Sequence, residues 1–264
     1  MNKLEVLIAT MHRETKEEII NLLDTMNINS DSVVVSQCSI NNIEVFEYKS
    51  YKVTCIYSTE RGLSKSRNLA LKNATAEIVV IADDDMRYVD GYNDIILDAY
   101  KYHPNVDIIT FKAINTKKYF SFEKKLNIIL IHKISSVEIT IKKSSVINIF
   151  FNIFFGAGSS LFLMGEESIF LTDCIRKGKN IRFIPVKISE LNENNRPSTW
   201  FTEFNKKYFV DKGAVYYQLS HFLAIPYIFI FAIRKYKKYK KSMGFFSAIY
   251  YMICGIKENK KLIK

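Results

Sequence analysis

Ile78-Val79-Val80-Ile81 runs without a break through Ala82 into Asp83-Asp84-Asp85. Four β-branched residues in a row read as a strand buried on both faces, which belongs inside a mostly parallel sheet covered by helices on each side. Three carboxylates at the end of such a strand repel one another and resist desolvation. Two readings stand. In one, a divalent cation neutralises the acids; Mg²⁺ or Mn²⁺ prefers carboxylate oxygens together with substrate phosphates. Ligands in open parallel sheets bind beyond the carboxyl ends of the strands, which would make this a metal–diphosphate site. In the other, the acids form a solvated turn.

The rest of the chain alternates strands and helices at the pace of such a sheet. Leu4–Ala9 reads as a first buried strand, followed by a loop at Thr10-Met11-His12-Arg13 and a helix over Glu14–Met26. Val33-Val34-Val35 gives a second strand and Lys52–Tyr57 a third. A helix opens at Arg61-Gly62-Leu63-Ser64, where Gly62 permits a tight turn and Ser64 is a candidate cap. After the acids come a helix at Gly91–Tyr102, stopped by Pro104, and a strand at Val106–Phe111. From Asn115 to Ser145 lysines mix with isoleucines, and short antiparallel strands are expected. Val146–Met164 is apolar but interrupted by Gly156 and Gly158, so it divides into two buried segments better than it forms the roughly 20-residue apolar run of a membrane span. A helix at Ser168–Lys177 closes at Gly178, and a strand at Ile181–Val186 ends with Pro185. Phe204–Tyr217 reads as helical.

The tail differs in character. Apolar Phe222–Ile233 is followed by Arg234-Lys235-Tyr236-Lys237-Lys238-Tyr239-Lys240-Lys241, and apolar Phe245–Ile256 by a basic end. Apolar and basic blocks interleaved with tyrosines suit a headgroup boundary, so residues 219–264 are expected to rest on an anionic membrane surface. The competing reading is a helix pair packed on the main domain. The formal net charge of +11 fits a membrane surface, nucleic acid or a phosphorylated substrate. No zinc-finger or RNA-recognition wording is present, and the lysines gather between apolar blocks, which argues against nucleic acid. The four cysteines are scattered and the start has no secretory-leader layout, so a reducing cytosol is the expected setting.

Four elements stand in a recognisable order: the strand ending at Thr10, the Arg61-Gly62…Ser66-Arg67-Asn68 helix start, Asp83-Asp84-Asp85, and Gly165-Glu166-Glu167 before a helix. In this order they resemble the inverting glycosyltransferases of family 2, which have the GT-A fold, and in particular those that build bacterial capsular or other surface polysaccharides. The likeness covers roughly Leu4 to Gly213, which gives a transferase domain at 1–213 and a helical, membrane-associating region at 214–264.

The resemblance implies a nucleotide-sugar donor, a UDP-sugar first, and a Mn²⁺ or Mg²⁺ cofactor. It implies a saccharide acceptor and a hexosyl or N-acetylhexosaminyl transfer; a tail docked on the inner face of the cell membrane makes a lipid-linked acceptor, such as an undecaprenyl-linked oligosaccharide, sensible. Thr10, His12 and Arg13 match the loop that holds the base and ribose, and Gln37 stands where many relatives have an acid. Arg61, Arg67 and Asn68 match the segment approaching the nucleotide. Asp83 matches the acid towards the ribose and, with Asp85, the metal ligands, with Asp84 between them. Glu166-Glu167 matches the pair whose second member is the catalytic base; a Glu at 167, where Asp is commoner, leaves Glu166 as the alternative. Gly156 and Gly158 match a stretch lining the acceptor side, and Trp200 an aromatic that stacks on the acceptor sugar.

Two rivals share parts of this pattern. A nucleotidyltransferase of similar fold should carry a glycine-rich phosphate loop after the first strand, and Thr10–Arg13 has no glycine. A non-enzymatic basic protein for membranes or nucleic acid would tolerate loss of Asp85 and Glu167.

Overall fold

A computed structural model of the chain describes residues 3–113, 119–191 and 203–262. In chain order the elements are β1 (Leu4–Met11), α1 (Lys16–Thr25), β2 (Asp31–Gln37), β3 (Asn42–Tyr48), β4 (Tyr51–Ser58), α2 (Leu63–Asn73), β5 (Ile78–Asp83) and β6 (Met86–Tyr88). There follow α3 (Tyr92–Tyr102), β7 (Ile108–Lys112), β8 (Lys124–Lys125), β9 (Ile139–Lys142), α4 (Glu166–Arg176), β10 (Ile181–Lys187), β11 (Ser189–Leu191), α5 (Lys206–Leu219), α6 (Ala224–Tyr239) and α7 (Phe245–Leu262). Nine strands form one sheet in the order β3-β4-β2-β1-β5-β9-β7-β10-β8, and β6 pairs with β11 beside it. Its centre, β4-β2-β1-β5, is parallel, as is β7-β10. β3, β8 and β9 run antiparallel to their neighbours, so the sheet as a whole is mixed.

Strand periodicity explains how both faces are covered. Val6, Ile8, Val34 and Val80 enter one core with Ile19 and Leu23 of α1 and Ile96 of α3. The alternate residues Leu7, Val33, Val35, Val79 and Ile81 enter a second core with Ala70 and Leu71 of α2 and Phe170 and Cys174 of α4. Each fully buried Val or Ile contributes roughly 1.5–3 kcal/mol. Glu5, within β1, is also buried, and its carboxylate accepts from the Thr75 and Ala76 amides at 2.6 and 3.0 Å just before β5. α1 starts with a capping box, Thr15 accepting from the Glu18 amide while Glu18 accepts from the Thr15 amide.

Three local expectations change. Ser64 does not cap α2: Gly62 is the N-cap, and the Ser64 hydroxyl donates to the Phe155 carbonyl at 2.6 Å. Residues 146–164 do not form two buried segments. They form a chain of turns that buries Phe151, Phe155 and Phe162 and exposes Ile147, Ile153 and Phe154, because Gly156 and Gly158 have φ of 109° and 73° and turn the backbone back on itself. β10 passes through Pro185 to Lys187, with its register against β7 shifting between Phe183 and Lys187.

The C-terminal helices pack on one another around Phe209, Ile228, Phe231, Tyr239 and Met252, a core separate from those of the sheet. The expected boundary at 213/214 falls inside the continuous helix α5. Among the described residues, no helix is long and apolar enough to cross a membrane.

Candidate active site

Parallel pairing of β1, β2, β4 and β5 puts their carboxyl ends on one edge. Register aligns Thr10 with Ser36, Met11 with Gln37, Ala9 with Asp83 and Gln37 with Ser58. Residues from the sequence separated by more than 70 positions therefore meet there. The Thr10 hydroxyl and the Arg13 guanidinium both donate to one oxygen of Asp84, at 2.6 and 2.8 Å. The Arg13 loop is pinned by Ser36, whose hydroxyl donates to the Arg13 carbonyl at 2.6 Å. His12 adopts a left-handed backbone (φ 61°), its amide donates to the Gln37 carbonyl at 3.0 Å, and its ring is exposed.

Gln37 is buried, and its side-chain oxygen accepts from the Gly62 amide at 2.9 Å, so it shapes the turn into α2. Arg61 donates to the Cys38 carbonyl at 3.1 Å and is otherwise exposed at the same edge. Asn68 uses both ends of its amide on the Phe151 backbone, at 2.8 Å each way, and so fixes the 146–164 segment rather than facing outward.

Arg67 is the hinge of the arrangement. It is 1% exposed, with one nitrogen 2.6 Å from Asp83 and another 3.1 Å from Glu166. Its guanidinium also lies over the Phe151 ring, 5.5 Å from the centroid. A buried guanidinium is tolerable only when its charge is matched, and here one carboxylate comes from the end of β5 and the other from the start of α4. The acid run and the glutamate pair are thus one side chain apart.

The acids separate into distinct environments. The second oxygen of Asp83 accepts from the Ser136 hydroxyl at 3.2 Å, and Asp84 is held by Thr10 and Arg13. Asp85 has no such partner among the described residues. Burial, then repulsion from Asp83 and Asp84, push its carboxyl up to about 6. Glu166 is 1% exposed and neutralised by Arg67. Glu167 is pushed up to about 8, by burial first and then by the Glu166 charge, with Arg67 pulling the other way. One oxygen each of Glu166 and Glu167 is buried with no hydrogen-bond partner among the described residues.

The glycines match a packing need. A Cβ on Gly156 would stand 3.2 Å from the Glu166 carboxyl carbon and 3.1 Å from the Ser64 hydroxyl. One on Gly158 would stand 3.3 Å from the Gly62 Cα. The 156–158 turn therefore lies directly against both α2 and the Glu166 side chain, and the Leu63 amide donates to the Ala157 carbonyl at 2.9 Å. Trp200 lies outside the described residues.

Among the described residues no group of three His, Cys, Asp or Glu side chains is disposed to hold a metal ion. Among the described residues, Asp85 alone of the three aspartates has both oxygens free of cationic and hydroxyl partners, whereas Asp83 is turned to Arg67 and Ser136. This donor set suits an ion that takes one carboxylate from the protein and completes its shell with substrate phosphate and water, as Mg²⁺ commonly does. Ser136, whose hydroxyl reaches Asp83, was missed: it opens a short 3-10 helix, Ser136–Glu138, that no apolar periodicity announces.

A sequence profile described as glycosyl transferase family 2 matches residues 10–164, more than half of the chain. No curated protein sequence matches. Among solved structures, residues 1–349 of S. aureus TarS in complex with UDP-GlcNAc superpose with a TM-score of 0.60 at 14% identity, over 91% of this chain and 74% of that one. A further crystal structure of S. aureus TarS gives 0.57 at 14% identity over 90% of this chain and 44% of that one. This chain spans 65% of another TarS 1–349 structure, slightly under two thirds of its length. The mannosyltransferase PcManGT from Pyrobaculum calidifontis, in complex with GDP-Man and Mn²⁺, gives 0.51 at 15% identity over 98% of this chain and 73% of that one. These likenesses establish the fold, an α/β GT-A sheet with a C-terminal helical region.

Proposed function

Because the chain belongs to glycosyl transferase family 2, we propose that it moves a sugar from a nucleotide-sugar to a saccharide hydroxyl with inversion at the anomeric carbon. The observation that carries this reading is Arg67, which ties Asp83 to Glu166 inside one site at the carboxyl edge of the parallel strands. The TarS complex with UDP-GlcNAc and the PcManGT complex with GDP-Man support a nucleotide-sugar donor. A UDP-sugar is the first candidate, with hexose or N-acetylhexosamine as the group moved.

The nucleoside lies along Thr10, His12, Arg13 and Gln37. Exposed Arg61 faces the diphosphate and stabilises the charge it gains on leaving. Mn²⁺ or Mg²⁺ held at Asp85 would supply further neutralisation of that diphosphate. Glu167 is the base. Glu166 pairs directly with Arg67 at 3.1 Å, whereas Glu167 makes no ion pair among the described residues. The acceptor oxygen attacks the anomeric carbon from the face opposite the diphosphate. Its proton passes to Glu167, a C–O bond forms, and the bond to the diphosphate breaks with its electron pair on the departing oxygen. One displacement inverts the centre.

The acceptor is a lipid-linked saccharide of bacterial surface polysaccharide synthesis, undecaprenyl-borne, and the protein works at the cytoplasmic face of the membrane. The support is in the tail. Phe222, Ile225, Phe229, Ile233 and Tyr236 are all exposed and share one stripe along α6 and the residue pair before it. Arg234, Lys237, Lys238, Lys240 and Lys241 are exposed beside them.

Turnover against a panel of UDP-, GDP- and dTDP-sugars with Mn²⁺ or Mg²⁺ identifies the donor. In parallel, UDP with Mn²⁺ should raise the melting temperature, and Asp85→Asn should remove that rise while leaving the unliganded protein folded. A rise that persists in the variant takes Asp85 out of the site.

A further inference from the structure

Parallel register sets Ala9 of β1 against Asp83 of β5. The next residues, Thr10 and Asp84, therefore stand side by side, and the Thr10 hydroxyl donates to Asp84 at 2.6 Å. Beyond them His12 takes the left-handed backbone region, and its amide donates to the Gln37 carbonyl at 3.0 Å, which turns the loop towards the end of β2. There Ser36 holds both polar atoms of the Arg13 backbone. Its hydroxyl donates to the Arg13 carbonyl at 2.6 Å and accepts from the Arg13 amide at 3.3 Å. The Arg13 side chain reaches back to Asp84, 2.8 Å away. β1 lies between β2 and β5 in the sheet. One residue thus spans the ends of three neighbouring strands, its backbone on β2 and its guanidinium beyond β5.

The contact uses a single guanidinium nitrogen. That nitrogen donates to Asp84, to the Met11 carbonyl at 3.3 Å and to the Thr10 hydroxyl. The other two nitrogens make no hydrogen bond among the described residues and are not enclosed, the side chain being 18% exposed. A planar fork held by one tip presents its remaining donors in a fixed direction, and those donors suit carbonyl and phosphate oxygens. The neighbouring acids are engaged differently: Asp83 faces Arg67 and Ser136, and Asp85 has no cationic partner among the described residues. Asp84 is the acid of the three whose charge is matched from the loop after β1.

We propose that Asp84 is a positioning residue for donor binding: it holds Arg13 across the strand ends so that the free nitrogens of the guanidinium meet the nucleotide, and it is not itself a ligand of the metal. The proposal rests on the reading of the carboxyl edge as the nucleotide-sugar site. Its physical advantage is that a long side chain is ordered during folding rather than on binding.

Calorimetric titration of the full chain with UDP, GDP and dTDP finds the nucleotide it holds, and that nucleotide is then titrated with Mn²⁺ and again in EDTA. Asp84→Asn should weaken binding about tenfold in both media, the scale of a hydrogen bond to a charged group. In an Arg13→Gln background the same substitution should change nothing further, because the two side chains act as one unit. Asp84→Ser serves where the Asn variant does not fold. A metal-ligand role for Asp84 would confine the loss to Mn²⁺ and preserve it in the Arg13→Gln background. A purely structural role would lower the melting temperature and leave nucleotide affinity unchanged, or lower affinity equally in both backgrounds. Each of these results overturns the proposal and leaves the nucleotide site standing. A parent protein that binds none of the three nucleotides defeats the nucleotide-sugar reading itself, and the proposal with it.

Discussion

Arg67 pairs with a carboxylate 99 residues away in sequence as well as with Asp83, and that makes its substitution costly. Arg67→Met leaves Glu166 buried and unpaired and Asp83 short of its main partner. Breaking a buried pair by removing one partner costs about 3–5 kcal/mol, so urea unfolding of the variant should show a loss of that order. Arg67→Lys keeps the charge but not the two-pronged fork, and should fall between the two because one ammonium cannot reach both acids as the guanidinium does. A variant as stable as the parent would mean that the bridge is not the centre of the site. Glu167 gives a pH signature. Its carboxyl is pushed up to about 8, and a base must be ionised to act, so kcat/KM should rise with pH through an acidic limb near that value. Linkage has the opposite sign. A group whose pKa is raised on folding favours the folded state while protonated, so this contribution is present below the ordinary glutamate range and is lost as pH climbs through about 8. Activity and stability should therefore diverge as pH rises from the ordinary glutamate range of about 4.3 to about 8. An acidic limb near the ordinary glutamate value of about 4.3 would remove Glu167 from the role.

At the scale of elements, the sharpest requirement is the α5–α7 crossing. Any side chain at 213 would meet the Met252 carbonyl, so Gly213→Ala must separate the helices, at about 1–3 kcal/mol for an overpacked site. Gly244→Ala is the control, since its Cβ would meet only the Ser247 hydroxyl at 3.6 Å. Thermal melts of the two should differ by several degrees, and equal melts would show that the crossing relaxes freely. The elements also differ in how far the sequence announced them. β1, β2 and β5 were legible because strands buried on both faces must be apolar throughout. β3 was not read, although Ile43-Glu44-Val45-Phe46-Glu47-Tyr48 alternates: its buried residues are Phe46 and Tyr48, while Ile43 and Val45 point to solvent on a sheet edge. Apolar character on both sides of the alternation concealed which face was inward. The 146–164 run misled for a related reason. Its aromatic residues are divided between core and surface by glycine turns, and composition says nothing of that division. The acid run and the glutamate pair were visible as motifs, but their meeting through Arg67 depends on tertiary register that no local pattern records.

The whole molecule presents two surfaces: a carboxyl edge lined with acids and arginines, and a helical region whose outer stripe is apolar with a basic flank. Phe222 is 95% exposed and Ile233 66% exposed, so neither supports the fold from within, and both can be changed without opening a cavity. If the stripe enters a lipid headgroup layer, Phe222→Glu with Ile233→Glu should sharply reduce sedimentation with vesicles containing phosphatidylglycerol. The melting temperature and the response to UDP with Mn²⁺ should not change. The basic flank acts separately. Each lysine close to anionic lipid contributes about 1 kcal/mol, so replacing Lys237 and Lys238 by Ser should weaken vesicle binding roughly thirtyfold, and high salt should reduce the parent protein's binding in the same way. Neutral phosphatidylcholine vesicles separate the two contributions, because they retain the apolar attraction and lack the electrostatic one. Binding that is untouched by the glutamates and insensitive to salt would mean that α6 faces something other than a bilayer, and would detach the lipid-linked acceptor from the proposed reaction while leaving the transferase site as it stands.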